Sequence, residues 1–182
     1  GLANVSFRAG SIFANDLVPE SFDLVHLRYV ITTIGRHEEV VQSALGLVKL
    51  GGILALQEAD SDGIRCFPDN ATFTHLRDVL ASVFAGIGGD TFAGRQVFRL
   101  LCDAGLSDVD FRACTARSRS TDDLVDYVPQ TVLSVRQTIR ELGLMIDSDI
   151  DDAIAQVRIH LSDPKTITTT STVFQAWGRK VY

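Results

Sequence analysis

Cysteine, positive charge and long apolar runs are all scarce in this chain, and each shortage argues against a class of function. The 182 residues include Cys66, Cys102 and Cys114, an odd number with no CxxC spacing. We therefore expect neither a disulfide framework nor a structural zinc site, and a reducing, cytoplasmic compartment fits best. No apolar stretch approaches the roughly 20 residues that a membrane span needs. Lysine and arginine number 17 against 23 acidic residues, a net charge of −6, which disfavours a basic surface for nucleic acid.

The apolar residues that are present concentrate in a strand–helix–strand unit. Residues 22–27 form a short, nearly continuous apolar run, typical of a buried strand. Apolar side chains then recur at helical spacing over residues 40–48, Gly51-Gly52 ends that helix, and residues 53–56 form a second buried strand. Two apolar strands joined by a helix predict a parallel βαβ unit with a right-handed crossover.

The segments around this unit contain no repeat or obvious linker and predict a single domain over residues 1–182. Before it, residues 5–7 are predicted to form a short strand. After it, we expect a polar loop over residues 60–70 and later helices at about 121–144 and 148–161. Ser148 and Asp151 have the spacing of a capping box for the last helix. The β-rich end, residues 168–182, is expected to pair in antiparallel fashion at the sheet edge.

Two motifs that suggest ligand binding have simpler interpretations. Residues 86–90, Gly-Ile-Gly-Gly-Asp, resemble a phosphate-binding loop, but they follow a helix and Thr91 stands where a third glycine is needed. We interpret them as a helix end and a turn. Aspartates within residues 147–152 resemble the start of a calcium loop, yet its sixth position is Asp152 and its twelfth is Arg158. They suit the first turn of a helix, and no metal is predicted.

Polar side chains gather where the two buried strands end. His26 and His37 bracket the end of the first strand, and Glu58 and Asp60 follow the second. Open parallel sheets bind ligands at the carboxyl ends of their strands. His37, Glu58 and Asp60 are therefore candidate general bases. Ordinary hydrogen-bonded histidines and a plain polar loop remain alternatives for the same residues.

Three segments occur in an order that is shared with a known enzyme family. They are Gly10-Ser11-Ile12, the run FDLVHLRYV at 22–30 and the turn LGGIL at 50–54. Together they resemble the middle of a class I S-adenosylmethionine-dependent methyltransferase, and residues 88–109 resemble a later passage of bacterial small-molecule members. The resemblance covers most of residues 1–114. It implies an α/β fold with a Rossmann-like, mostly parallel sheet, helices on both faces and an antiparallel C-terminal strand.

The same resemblance implies S-adenosylmethionine as the cofactor and names the residues around it. The residues beside the adenine would be Gly10, Ser11 and Ile12. The residues beside the methionine part would be His26, Leu27 and Arg28. Ser11 stands where many members carry an aspartate, so this contact would be weaker, because a neutral hydroxyl replaces a charged acceptor. Thr33 stands where many members carry a histidine.

The family's glycine-rich loop and the acidic residue that binds the ribose are missing from this sequence. Aligned by its motifs, the chain begins just before the family's third strand. Without the first two strands, buried strand edges would be left unpaired. We therefore expect the chain to be the C-terminal part of a longer protein.

The leading interpretation is an enzyme that transfers a methyl group to a small organic acceptor by in-line displacement. Helices at about 121–161 would cover the acceptor. A non-catalytic, methyltransferase-like binding subunit is the alternative, and a nicotinamide-dependent dehydrogenase is disfavoured because the chain has no Gly-x-Gly-x-x-Gly. We expect no nucleic acid or membrane partner, and a homodimer is an open alternative.

Overall fold

The computed structural model describes residues 3–182, in which a five-stranded sheet is packed against helices. The strands are β1 (Phe22–Arg28), β2 (Val48–Asp60), β3 (Arg65–Phe67), β4 (Ser107–Arg119) and β5 (Ile167–Arg179). The helices are α1 (Val30–Ile34), α2 (His37–Leu45), α3 (Ala71–Gly86), α4 (Val97–Asp103), α5 (Tyr127–Ser134), α6 (Arg136–Glu141) and α7 (Asp147–Leu161). Short 3-10 turns lie at Ser61–Gly63, Ala93–Gln96 and Asp123–Asp126.

One strand of the sheet, β5, runs against all the others. β1 pairs with β2 in parallel, whereas β5 is antiparallel to β2, β3 and β4. β4 pairs along almost the whole of β5, so β2 and β3 share the opposite edge of β5. Four strands therefore point in one direction. The predicted α/β class, its Rossmann-like, mostly parallel sheet and its antiparallel C-terminal strand are confirmed.

Two hydrophobic cores fix the helices to this sheet. Burial alternates along β2, where Leu54 and Leu56 are buried and Ala55 between them is only half-buried, as the two-residue period of a strand requires. The buried face meets α2 and α4 in the first core. The second core joins the loop and β3 residues Ile64 and Cys66 to α3, α5, α6 and α7. The helices predicted at 121–161 thus pack with α3.

The predicted strand at residues 5–7 is wrong. Residues 3–21 have no regular strand, and Phe7 is 95% exposed. A strand needs a neighbour for its N–H and C=O groups, and no described strand lies beside this segment. The predicted loop at 60–70 is also more ordered than expected, because Arg65–Phe67 pairs with β5.

The predicted helices near the C-terminus differ in their boundaries. The segment at 121–144 is divided into a 3-10 turn, α5 and α6, with the break between α5 and α6 at Val135. The capping box predicted at Ser148 is wrong, since α7 begins at Asp147 without a side-chain cap. Arg136 binds the carboxylate of Asp151 at 2.7 and 2.8 Å, which removes that carboxylate from any capping role.

The interpretation of residues 86–90 as a helix end and a turn is supported by the structure. α3 ends at Gly86, and Gly88 follows with a φ of +88°, so residues 86–90 are a helix end and a turn. Within residues 3–182, no group of three His, Cys, Asp or Glu side chains is arranged to hold a metal ion. None of the helices described is long and apolar enough to cross a bilayer.

Candidate functional site

The carboxyl ends of β1 and β2 lie side by side, because these two strands are parallel neighbours. Arg28 pairs with Gln57 in the register of the sheet, and the Tyr29 N–H donates to the Gln57 carbonyl at 2.9 Å. The chain leaving β1 therefore passes directly over the last residues of β2. Glu58 and Asp60 lie at this edge, as predicted.

Glu58 is fully buried and holds the beginning of α1. Its Oε1 accepts from the backbone N–H groups of Val30 and Ile31, both at 3.0 Å. Its Oε2 accepts from the Thr32 N–H at 2.9 Å and the Thr32 hydroxyl at 2.7 Å. α1 has no cap from its own Tyr29, so a side chain from β2 satisfies its free donors. Glu58 faces no solvent, and this geometry does not favour a role as a general base.

Asp60 is also engaged, in an ion pair with Arg95. The Arg95 Nε and Nη2 atoms lie 2.6 and 2.7 Å from the two carboxylate oxygens of Asp60. Arg95 also binds Asp62 at 2.5 Å, and this hydrogen bond is the main cause that lowers the pKa of Asp62 below its ordinary value. The two carboxylates in turn raise the pKa of Arg95, with Asp60 the larger cause. The pair ties the end of β2 to the turn before α4.

His37 is the one candidate base that retains an uncommitted nitrogen. It is the first residue of α2, and its Nε2 lies 3.2 Å from Asp90 Oδ2. Asp90 is held by the Phe92 N–H at 2.8 Å and the Gln96 amide at 3.1 Å. Within residues 3–182, no hydrogen bond is formed at His37 Nδ1. His37 Nδ1 is therefore available to contact a ligand, while Asp90 fixes the orientation of the ring.

The turn at residues 86–90 packs tightly against the end of α1. The Asp90 N–H donates to the Thr32 carbonyl at 3.0 Å. A Cβ added at Gly89 would lie 2.5 Å from that same carbonyl oxygen, so only glycine allows this approach. The turn therefore links Thr32, which Glu58 holds, to the pair formed by His37 and Asp90.

Gly10, Ser11 and Ile12 line an open cavity of about 710 Å³ together with neighbouring residues of their own segment and Leu47. Its volume falls in the range of roughly 300–1,000 Å³ that small-molecule sites occupy. A Cβ added at Gly10 would meet no atom within 4 Å, so open space lies beside this glycine. The cavity is therefore large enough for a nucleoside-sized group.

The second predicted cofactor segment is separate from that cavity. His26 and Arg28 are exposed on β1, and the side chain of Leu27 is buried in the first hydrophobic core. None of the three is among the described residues that line the cavity. The Arg28 guanidinium carbon lies 5.3 Å from the ring centroid of Tyr29.

Sequence reasoning missed three residues that organise this edge of the sheet, Thr32, Asp90 and Arg95. Asp90 was in a motif interpreted only as a turn, and Arg95 follows a glycine in the segment that carried the family resemblance. The pairing of Gly89-Asp90 with a neighbouring segment gives no signal in local sequence. Residue type alone therefore pointed to Glu58 and Asp60 without showing their partners.

Comparison with known proteins gives one match to a family model and several to solved structures. A model described as a methyltransferase domain matches residues 1–91. No match was found among curated proteins. A protein from Bacillus halodurans assigned as a methyltransferase is 13% identical, with a TM-score of 0.54 over 95% of this chain and 70% of its own. The Bacillus subtilis YcgJ protein is 15% identical, with a TM-score of 0.50 over 97% of this chain and 72% of its own.

A third structure is longer than this chain. Haemonchus contortus phosphoethanolamine N-methyltransferase 2, in complex with phosphomonomethylethanolamine and S-adenosylhomocysteine, is 14% identical with a TM-score of 0.46. The match covers 93% of this chain and 36% of the Haemonchus chain. This chain therefore spans little more than a third of that enzyme's length. The two Bacillus likenesses establish a shared fold.

Proposed function

Because this chain belongs to the methyltransferase domain family, we propose that it carries out S-adenosylmethionine-dependent methyl transfer to a small organic acceptor. The family match over residues 1–91 is the observation that carries this proposal, since it includes every predicted site residue from Gly10 to Asp60. The predicted assignment to this family is confirmed.

Gly10, Ser11 and Ile12 are proposed to hold the adenosine part of the cofactor. The open space beside Gly10 and the volume of the cavity support this placement. His26, Leu27 and Arg28 are proposed to lie beside its amino-acid part, Leu27 through its backbone because its side chain is buried. When bound, S-adenosylmethionine supplies a methyl carbon activated by an adjacent sulfonium.

His37 is the proposed general base of the three candidates. Glu58 and Asp60 each use both carboxylate oxygens within the protein, whereas His37 keeps Nδ1 free within residues 3–182. A base at this point would accept a proton from an acceptor hydroxyl or protonated amine. Asp90 supports this role because its carboxylate lies 3.2 Å from Nε2 and orients the imidazole ring.

The segment at 121–161 is proposed to cover the acceptor and exclude water from it. Its described helices α5, α6 and α7 share a core with α3 and form one body beside the sheet. We place all of residues 1–182 in one domain, with a cytoplasmic location and a small-molecule acceptor as its partner. The net charge of −6 supports the expectation that nucleic acid is not a partner.

Calorimetric titration with S-adenosylhomocysteine tests this function. We expect binding in the micromolar range by the complete expressed protein, with Gly10→Val as the matched variant that should keep its fold and lose affinity. Absence of binding by the complete expressed protein with a native circular dichroism spectrum would refute the enzymatic proposal. It would favour the alternative, a non-catalytic binding subunit of the same fold.

A further inference from the structure

We propose that Glu58 is a positioning residue for cofactor binding, because it holds the turn between β1 and α1 (residues 28–32) in a strained conformation. This inference rests on the proposed function. It assigns Glu58 a role distinct from that of a general base.

Tyr29 has a φ of +55° and a ψ of +29°, the left-handed region that a side chain with a Cβ disfavours. The residue is a bulky aromatic, for which this conformation is unusual. Backbone strain of this kind persists only where the surrounding structure fixes it, and it is found most often at functional sites. Tyr29 directly follows Arg28, the last residue of β1.

The bonds around Tyr29 are sufficient to fix it. Its N–H donates to the Gln57 carbonyl at 2.9 Å, and its carbonyl accepts from the Thr33 hydroxyl at 2.9 Å. Beyond it, the next three backbone N–H groups all donate to Glu58. These three donors can converge on a single carboxylate only if the chain turns sharply immediately after β1. The charge-assisted hydrogen bonds that these N–H groups donate to the buried carboxylate thus offset the strain.

The turn carries side chains that belong to the proposed cofactor site. Arg28 lies immediately before Tyr29, and its guanidinium carbon is 5.3 Å from the Tyr29 ring centroid. His26 precedes Arg28 on the same face of β1, since side chains alternate along a strand. A change in the direction of the chain at Tyr29 would therefore displace Arg28. Glu58 does not touch the ligand and acts through the backbone of this turn.

A double-mutant cycle with S-adenosylhomocysteine as the probe tests the inference. Glu58→Gln keeps the shape of the side chain but replaces an acceptor with an amide donor facing N–H groups. Tyr29→Gly removes the strain, because glycine adopts this φ without a steric cost. We expect Glu58→Gln to weaken binding by about tenfold in the wild-type background. In the Tyr29→Gly background, we expect it to weaken binding by no more than about twofold, the range of additive effects.

Thr32→Val is a milder second variant in case Glu58→Gln fails to fold. It removes the hydroxyl bond to Glu58 at 2.7 Å and the long bond that the hydroxyl accepts from the Ala59 N–H at 3.4 Å. We expect about a threefold loss of affinity that again disappears in the Tyr29→Gly background. Amide hydrogen exchange at residues 30–32, measured without ligand, should be faster in Glu58→Gln and in Thr32→Val than in the wild type.

The outcomes separate this inference from the proposed function. No binding by the complete wild-type protein would refute the function and the inference together. If the wild type binds, two results would refute only the positioning role. One is an unchanged affinity in Glu58→Gln, and the other is an equal loss of affinity from Glu58→Gln in the wild-type and Tyr29→Gly backgrounds. A loss of affinity that depends on Tyr29 would establish it, since a general loss of stability would not depend on the strain at that residue.

Discussion

Replacement of Arg95 by methionine should reveal how much the ion pair at the end of β2 stabilises the fold. Asp60 has 7% of its side chain exposed and receives two hydrogen bonds from the Arg95 guanidinium. Removing one partner of a buried ion pair costs about 3–5 kcal/mol, because a charge is left without compensation. Arg95 itself is 47% exposed, so water already screens the pair. We therefore expect a loss of about 2 kcal/mol in the free energy of unfolding.

The pH dependence follows from Asp62. Arg95 lowers the pKa of Asp62, so the native state holds its proton less tightly than the unfolded state does. This contribution to stability is present above the ordinary carboxyl pKa and disappears as the pH falls through the lower, native value. The difference between wild type and Arg95→Met should consequently be largest near neutral pH and decrease below about pH 4.

Urea unfolding at pH 7 and pH 3, followed by circular dichroism, measures this effect. The control is Arg99→Met, because Arg99 pairs with Asp103 while both are largely exposed. We expect the control to change stability by less than about 0.5 kcal/mol at either pH. Equal losses for the two variants at pH 7, or a loss for Arg95→Met that does not decrease at pH 3, would refute the reasoning.

Three further experiments test the buried Lys180 contacts, the position of the cofactor and the burial of the cysteines. Lys180→Met should lower the free energy of unfolding by about 2 kcal/mol, since the nearly buried ammonium of Lys180 satisfies two backbone carbonyls and a carboxylate; an unchanged urea midpoint would contradict this. Gly10→Val should abolish the binding of S-adenosylhomocysteine and leave the melting temperature unaltered, because its Cβ meets no atom within 4 Å; retained affinity would show that the cofactor lies elsewhere. A thiol reagent should label Cys102 and Cys114 quickly and Cys66 only on unfolding, because Cys66 is buried and burial raises its pKa; fast labelling of all three would contradict the burial.

Local sequence predicted the elements whose signals lie within a few residues. The apolar period of β1, α2 and β2 predicted the βαβ unit, because a strand and a helix each bury one face with a fixed spacing. The predicted end of its helix at Gly51-Gly52 is wrong, because α2 ends at Leu45 and both glycines lie within β2. The beginning of α3 is another local feature, since the Asn70 side chain accepts from the Phe73 N–H, three residues on, at 2.8 Å. The predicted strand at residues 5–7 is wrong because strand formation depends on a partner that local sequence does not reveal. Its composition suits a strand, but a strand forms only with a partner.

The sequence predicted where the polar residues of the candidate site lie, but not which partners they bind. Glu58 and Asp60 were correctly expected at the end of β2, because side chains at the ends of parallel strands meet at one edge. Their partners lie far along the chain: the donors to Glu58 are 26 to 28 residues away, and Arg95 is 35 residues from Asp60. A carboxylate in sequence looks the same whether it caps a helix, pairs with arginine or accepts a proton.

The sequence by itself determined the family, the order of the central elements and the set of polar residues at the strand ends, since each depends on motifs or on short-range periodicity. Only the tertiary structure decided which of those residues are committed to the fold. Burial and hydrogen bonding are properties of contacts between distant segments. Glu58 accepts hydrogen bonds from the backbone of α1, while His37 keeps a nitrogen without a partner within residues 3–182. No local sequence pattern distinguishes a residue committed to the fold from one that is available to a ligand.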